Sequence, residues 1–267
     1  MLKPSPGLVD HAIADGLVVD RWLGGRLALV QPKRGHRVGT DAALLAAAAG
    51  TPEGRIADVG AGVGAVGLAL AWKSAPAVAD LVEIDPDLAG LADRNVARNG
   101  LEARARVLRL DVLKRDERCQ AGLNDEAADC VVTNPPFFEH GTIRVSPDTG
   151  RTQAHVFSPM DADTTLATWI RASLAILAPG GRFLMIHRPD ALSAILAAIG
   201  SRLGALALLP VHPTIGASAH RLIVSGVKGS KAPLRIAPAL VLHEADGRLT
   251  AEADAIHRGD ASVEWGA

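Results

Sequence analysis

Asp58-Val59-Gly60-Ala61-Gly62-Val63-Gly64 follows the short run Arg55-Ile56-Ala57 and leads into a helix-forming stretch that extends to about Lys73. A brief apolar strand that enters a glycine-rich turn and opens a helix is the first unit of a doubly wound α/β fold. The glycines let the backbone reverse sharply and approach a ligand closely. Their order is G-x-G-x-x-x-x and not G-x-G-x-x-G, because position 65 is Ala and the next glycine is Gly67. An acid, Asp58, stands just before the first glycine. A carboxylate there repels a pyrophosphate and attracts a cation, so the loop is expected to hold a cationic ligand.

Outward from this turn, strands and helices alternate. Strands are expected at 55–59, 80–84, 104–110 and 128–133, with a helix over 87–99. A helix over 164–178, a turn at Gly180–Gly181 and a strand at 182–188 follow. Another helix, then Leu206–Val211 and Arg221–Val227, close the series. Such alternation means βαβ units and a parallel sheet covered on both faces. Right-handed crossovers then place the C-terminal ends of the parallel strands on one edge, where open sheets bind ligands. Upstream, residues 17–30 read as a hairpin turning at Gly24–Gly25, and Thr40 can cap a helix that stops at Gly50. We expect an N-terminal extension over 1–50 and a main domain over 51–267.

The strand ends carry the chemistry. Asp58, Gly60 and Gly62 belong to the first turn, and S-adenosylmethionine, with a sulfonium and an ammonium, suits its charge. Glu83, at the tip of the next strand, can accept both hydroxyls of a ribose, with Asp85 a rival for that role. Asp111 follows the third strand and can accept from an adenine amino group. The fourth strand ends in Asn134-Pro135-Pro136-Phe137. Two prolines stiffen the chain and remove two N–H donors. The Asn134 side-chain oxygen and the Pro135 carbonyl can then both accept from one NH2 group, and Phe137 offers a face for stacking a planar base. A ring amino group is a poor nucleophile, and two out-of-plane acceptors draw its lone pair toward a methyl donor without a strong base.

These residues resemble the class I methyltransferases with the N/D-P-P-Y/F/W motif, over residues 55–190. The segment Gln31–Asp41 and the tail near Arg221 to Lys231 further resemble the bacterial tRNA1(Val) adenine-N6 methyltransferase family. The resemblance implies a mostly parallel seven-stranded sheet with an antiparallel C-terminal hairpin. It implies S-adenosylmethionine contacts from Thr40, Gly60, Gly62, Glu83 and Asp111, and base contacts from Asn134, Pro135 and Phe137. It implies a tRNA anticodon loop as partner. Phe137 stands where better-known members carry Tyr, which keeps the stack and loses a hydroxyl. Guanine-N2 methyltransferases acting on rRNA share NPPF followed by a nearby glycine, here Gly141. Glutamine-N5 enzymes acting on release factors share the core but carry a helical N-terminal domain, whereas a hairpin and one helix are expected here. A cofactor fold retained only as an RNA-binding module is a third reading, against which the intact Asp58, Glu83, Asp111 and Asn134 set argues.

Composition sets the bounds. In 267 residues with 48% hydrophobic content and only 3% aromatics, the core must be built from Ala, Leu, Val and Ile. A net charge of −1 gives no general polyanion affinity, so RNA contact must come from local groups such as Lys33, Arg34, His36 and Arg37, or Arg144, Arg151 and His155. Cys119 and Cys130 read as reduced thiols of a cytoplasmic protein. The histidines show no metal-ligand spacing, so no metal is expected, nor is a membrane span.

Overall fold

The computed structural model describes residues 16–35, 37–136 and 162–266, with backbone alone for 162–165. Strands β1 (Leu17–Trp22) and β2 (Leu27–Pro32) form the expected hairpin, and α1 (Thr40–Ala49) follows. The central series is β3 (Arg55–Val59), α2 (Ala65–Lys73), β4 (Val78–Glu83), α3 (Pro86–Arg98), β5 (Ala105–Arg109), α4 (Arg115–Gln120) and β6 (Ala128–Thr133). Then come α5 (Ala162–Ile176), β7 (Leu177–His187), α6 (Leu192–Ile199), β8 (Leu203–Thr214) and β9 (Arg221–Lys228). Two short strands, β10 (Arg235–Ile236) and β11 (Leu240–His243), and a helix, α7 (Ala251–Arg258), end the chain.

The sheet order is β10-β8-β9-β7-β6-β3-β4-β5, with β11 also on β8. Strands β5, β4, β3, β6 and β7 are parallel neighbours, and β9 runs antiparallel between β7 and β8. This is the expected seven-stranded arrangement with its antiparallel hairpin, enlarged by two short parallel strands that cover the β8 edge. Covering an edge removes a row of unpaired backbone groups. The expected turn at Gly180–Gly181 is instead an irregularity within β7, where the register against β6 shifts.

Strand β3 is buried on both faces, which is why Arg55–Val59 reads as a run and not as an alternation. Ile56 packs on the face covered by α1, α2 and α3, and Ala57 and Val59 on the face covered by α5 and α6. Every residue of α1 from Ala42 to Ala49 is buried. An alanine-rich helix tolerates that, because small side chains let it lie between the sheet and α7. The hairpin is tied on by Asn95, whose side chain accepts from Val30 N (2.7 Å) and donates to the carbonyls of Val30 and Val63 (both 3.0 Å). One amide thus fixes β2 against the glycine-rich loop. Among the described residues no helix is long and apolar enough to cross a membrane.

Candidate active site

Four strand tips meet on one edge, and each supplies one of the expected residues. Asp58 lies in β3 and is 2% exposed. Its carboxylate accepts from Gly67 N at 2.8 Å and so anchors the start of α2. Burial, with a contribution from nearby Glu83 and against that hydrogen bond, pushes its pKa up to about 7. The chain then turns back onto β4, with the N–H groups of Gly60 and Ala61 donating to the Val82 carbonyl (2.9 and 3.0 Å). Gly60 has φ +74°, and a Cβ there would sit 2.9 Å from the Trp169 ring, so both its conformation and its surroundings exclude a side chain. Gly62 faces open space.

Glu83 closes the loop from the β4 tip. Its two oxygens accept from Gly62 N (2.7 Å) and Asp85 N (2.9 Å). Asp85 itself is the N-cap of α3, accepting from Asp87 N (2.8 Å) and Leu88 N (3.1 Å). Of the two rival acids, Asp85 is therefore engaged in capping, and Glu83 is the one set against the glycine loop. Asp111 lies beside it, because Leu110 N donates to the Glu83 carbonyl at 3.1 Å. The Asp111 carboxylate accepts from Leu113 N (3.0 Å).

At the β6 tip the side-chain oxygen of Asn134 is buried and has no hydrogen-bond partner among the described residues. A buried amide oxygen without a donor costs about 1–3 kcal/mol, and such a group calls for a reason. A ligand N–H is a direct one. Pro135, next in the chain, is buried, and neither it nor Pro136 has an N–H to offer. Phe137 lies outside the described residues, as do His36, Arg144, Arg151 and His155.

Two residues not expected from sequence complete the edge. Thr133, fully buried, donates from Oγ1 to the Val59 carbonyl (2.8 Å) and accepts from Trp169 Nε1 (2.9 Å). One hydroxyl thus links the residue before Gly60, the residue before Asn134 and helix α5. The available signal was that Trp169 flanks the buried stripe Leu166–Ile170–Ser173–Leu174 without belonging to it.

Thr40 is not brought into this group. It is the first residue of α1, with Gly39 as N-cap and no side-chain capping bond, so the expected Thr40 cap is not made. His257 Nδ1 donates to the Ala253 carbonyl (2.7 Å), which leaves Nε2 to accept from the Thr40 hydroxyl (3.2 Å). Asp41 beside it pairs with Arg221 (2.9 Å).

The site therefore joins several carboxylates, an open glycine loop and an amide oxygen without a partner among the described residues. No cluster of His, Cys, Asp or Glu among the described residues could hold a metal. Close carboxylates, one with its pKa raised, suit a cationic ligand, and S-adenosylmethionine meets that demand. Cys130 is buried, with its thiol pushed up to about 12 by desolvation, and takes no part.

Comparison with known proteins agrees with this chemistry. A family model described as the methyltransferase small domain matches residues 36–149. A tRNA1(Val) (adenine(37)-N6)-methyltransferase of Porphyromonas gingivalis is 33% identical over 185 residues, which cover 65% of this chain and 69% of that protein. The enzyme of the same name from Erwinia tasmaniensis is 37% identical over 114 residues, 42% of this chain and 44% of that one, less than half its length. Among solved structures, a predicted O-methyltransferase of Agrobacterium tumefaciens superposes with a TM-score of 0.69 at 33% identity, covering 84% of this chain and 98% of that one. A Thermus thermophilus 16S rRNA N2 G1207 methyltransferase bound to the cofactor and guanosine shares the fold, with a TM-score of 0.53 at 23% identity over 79% of this chain and 50% of that one.

Proposed function

The chain belongs to the S-adenosylmethionine-dependent methyltransferases of the tRNA1(Val) (adenine(37)-N6) family, and from that premise we propose that it methylates the N6 amino group of an unpaired adenine in a tRNA anticodon loop. The observation that carries the acceptor class is the buried side-chain oxygen of Asn134, which has no hydrogen-bond partner among the described residues. A carbonyl oxygen accepts and cannot donate, so it selects a group that brings N–H. The names of the relatives supply the adenine and the tRNA. A loop base suits the site, since bases outside a duplex cost least to turn out and are what proteins read in RNA.

The bound cofactor supplies an electrophilic methyl on a sulfonium. Glu83 would hold the ribose, Asp111 would accept from the cofactor's adenine amino group, and the Asp58 carboxylate would offset the positive charge. Gly60 and Gly62 leave room for close approach. Asn134 Oδ1 and the Pro135 carbonyl accept the two N–H bonds of the adenine amino group and turn its lone pair toward the methyl. The extra proton that the nitrogen carries once methylated would leave to solvent. Phe137, by its residue type, would offer a face for stacking the base. The reaction belongs in the cytoplasm, where tRNA is modified.

The test is methyl transfer from labelled cofactor to unmodified total tRNA, rRNA, DNA and release factor, followed by nucleoside analysis. Label is expected as N6-methyladenosine in tRNA. Label in guanine-N2 or in protein would replace the acceptor. Asn134→Ala should lower kcat by about 10²–10³-fold while cofactor affinity stays within about twofold; near wild-type turnover would remove Asn134 from the mechanism.

A further inference from the structure

The carboxylates that suit a cationic cofactor make the same edge hostile to a polyanion. Asp58, Glu83, Asp85 and Asp111 all lie there, and the whole chain carries a net charge of −1. An RNA acceptor must therefore meet cations at the rim that are not already neutralised. Several described candidates are spent. Arg221 pairs with Asp41, Arg188 with Asp190 and Arg37 with Asp20. Lys33 and Arg34 differ. Both are exposed, and neither forms an ion pair with a described residue.

Their position is fixed by a buried residue. Gln31, 2% exposed, accepts from Val38 N through Oε1 (2.8 Å) and donates through Nε2 to the Asp20 carboxylate. Lys33 N donates to the Gly16 carbonyl (2.8 Å). The chain that leaves β2 is thus stitched on both sides of the turn. Val38, at the far side, packs against the cluster of Val30, Val63 and Leu91, and Val63 belongs to the glycine loop itself. Two cations with no ion pair among the described residues are therefore held at the end of β2, on a segment whose base rests on the cofactor loop. Ordering them in advance lowers the entropy lost when they meet a phosphate.

Resting on the RNA acceptor proposed above, we propose that Lys33 and Arg34 form a phosphate clamp that grips the RNA backbone beside the nucleotide turned into the active site. The clamp carries no base readout, because contacts to phosphate position the chain and do not read its sequence. Arg34 can take a phosphate through two N–H bonds and Lys33 as a point charge.

The test is the double variant Lys33→Ala/Arg34→Ala, whose two side chains are exposed. Affinity for unmodified tRNA and for the cofactor is measured by titration at several salt concentrations, alongside turnover. Two lost phosphate contacts should reduce the slope of log affinity against log salt by about 1.4. The advantage of the wild type over the variant should then shrink about sevenfold between roughly 50 and 200 mM salt, since fourfold raised to that power is about seven. Cofactor affinity should hold, and kcat at saturating tRNA should stay within about twofold. If the wild type methylates tRNA and the variant binds tRNA with the same affinity and salt slope, the clamp is overturned and the RNA acceptor stands. If the wild type labels only protein or DNA, the RNA reading falls and the clamp with it.

Discussion

Replacing Thr133 with Val tests whether the hydroxyl bridge sets the geometry of the reaction or only holds the fold. The substitution keeps the β-branched shape in a fully buried position and exchanges the hydroxyl for a methyl. It removes two hydrogen bonds, one to the Val59 carbonyl and one from Trp169 Nε1. Leaving buried groups without this partner should cost on the order of 2–4 kcal/mol of stability. That is a large share of a typical total, so the measurement is made where thermal melts show the variant folded. The loss should also reach the chemistry. Thr133 is covalently next to Asn134, and the Val59 carbonyl is next to Gly60, so the bridge spans the acceptor oxygen and the donor loop. A displacement near 1 Å in such geometry can cost about a hundredfold in rate. We expect kcat to fall by about ten- to a hundredfold, with cofactor affinity changed less than about fivefold. Thr133→Ser, which keeps the hydroxyl, should recover most of the rate. Trp169→Phe, which loses the N–H together with the outer ring that lies near Gly60, should lower kcat in the same direction. The two changes share one hydrogen bond, so the double variant should be milder than the sum of the singles. Turnover of folded Thr133→Val within about twofold of wild type would refute the positioning role and leave the bridge a purely structural contact.

Titration of Asp58 gives a second expectation. Its pKa in the folded chain is about 7, against 3.8 for the ordinary group, so the folded form binds the proton more tightly than the unfolded chain does. Its contribution to stability is fully present below about pH 4 and is lost as the pH rises through about 7. The melting temperature of the free protein should therefore fall across that range by more than that of Asp58→Asn. A cationic cofactor favours the ionised carboxylate, so its affinity should tighten about tenfold from pH 6 to pH 8 and stay nearly flat in Asp58→Asn. Calorimetry showing equal pH dependence in both proteins would disprove the coupling. Gly67→Ala sets helix propensity against packing: alanine gains about 1 kcal/mol within a helix, but its Cβ would lie 2.2 Å from Leu81 Cδ2 and 3.2 Å from the Asp58 Cβ. Leu81 is fully buried, so overpacking should win and denaturant unfolding should show a net loss of about 1–2 kcal/mol. A stabilised Gly67→Ala would contradict that balance.

What the sequence discloses follows from how local each feature is. Strands β3 and β6 begin and end where their apolar runs do, because burial on both faces leaves no alternation to misread. Asp58, Glu83 and Asn134 were legible for a related reason: each stands at or beside a strand tip, and topology sends the tips of parallel strands to one edge. The choice between Glu83 and Asp85 needed coordinates. Asp85 occupies an N-cap position ahead of Pro86, which is itself a sequence signal, but only the bond from Gly62 N shows Glu83 turned toward the loop. Helix α7 carries its end signals openly, with Thr250 as cap, Glu252 and Asp254 in the first turn and Gly259 after the last. It lies beyond the strand–helix alternation, so that pattern does not place it, and with it the partner of Thr40 stays hidden.

The Thr133 bridge lies at the limit of such reading. Its three members are 74 and 36 residues apart, and none has an unusual composition around it. Long-range polar contacts of this kind depend on where crossovers bring helices down, which periodicity leaves open. The consequence is that sequence reading brings out the polar groups at strand tips and misses those that hold them in register. A site predicted from motifs alone therefore leaves the relative positions of its atoms undetermined. In a transfer reaction that relies on alignment and has no strong base, those positions govern the rate. The comparison of Asn134→Ala with Thr133→Val separates the two contributions: on the proposed mechanism the first removes an accepting atom, while the second keeps every reacting atom and alters only where they meet.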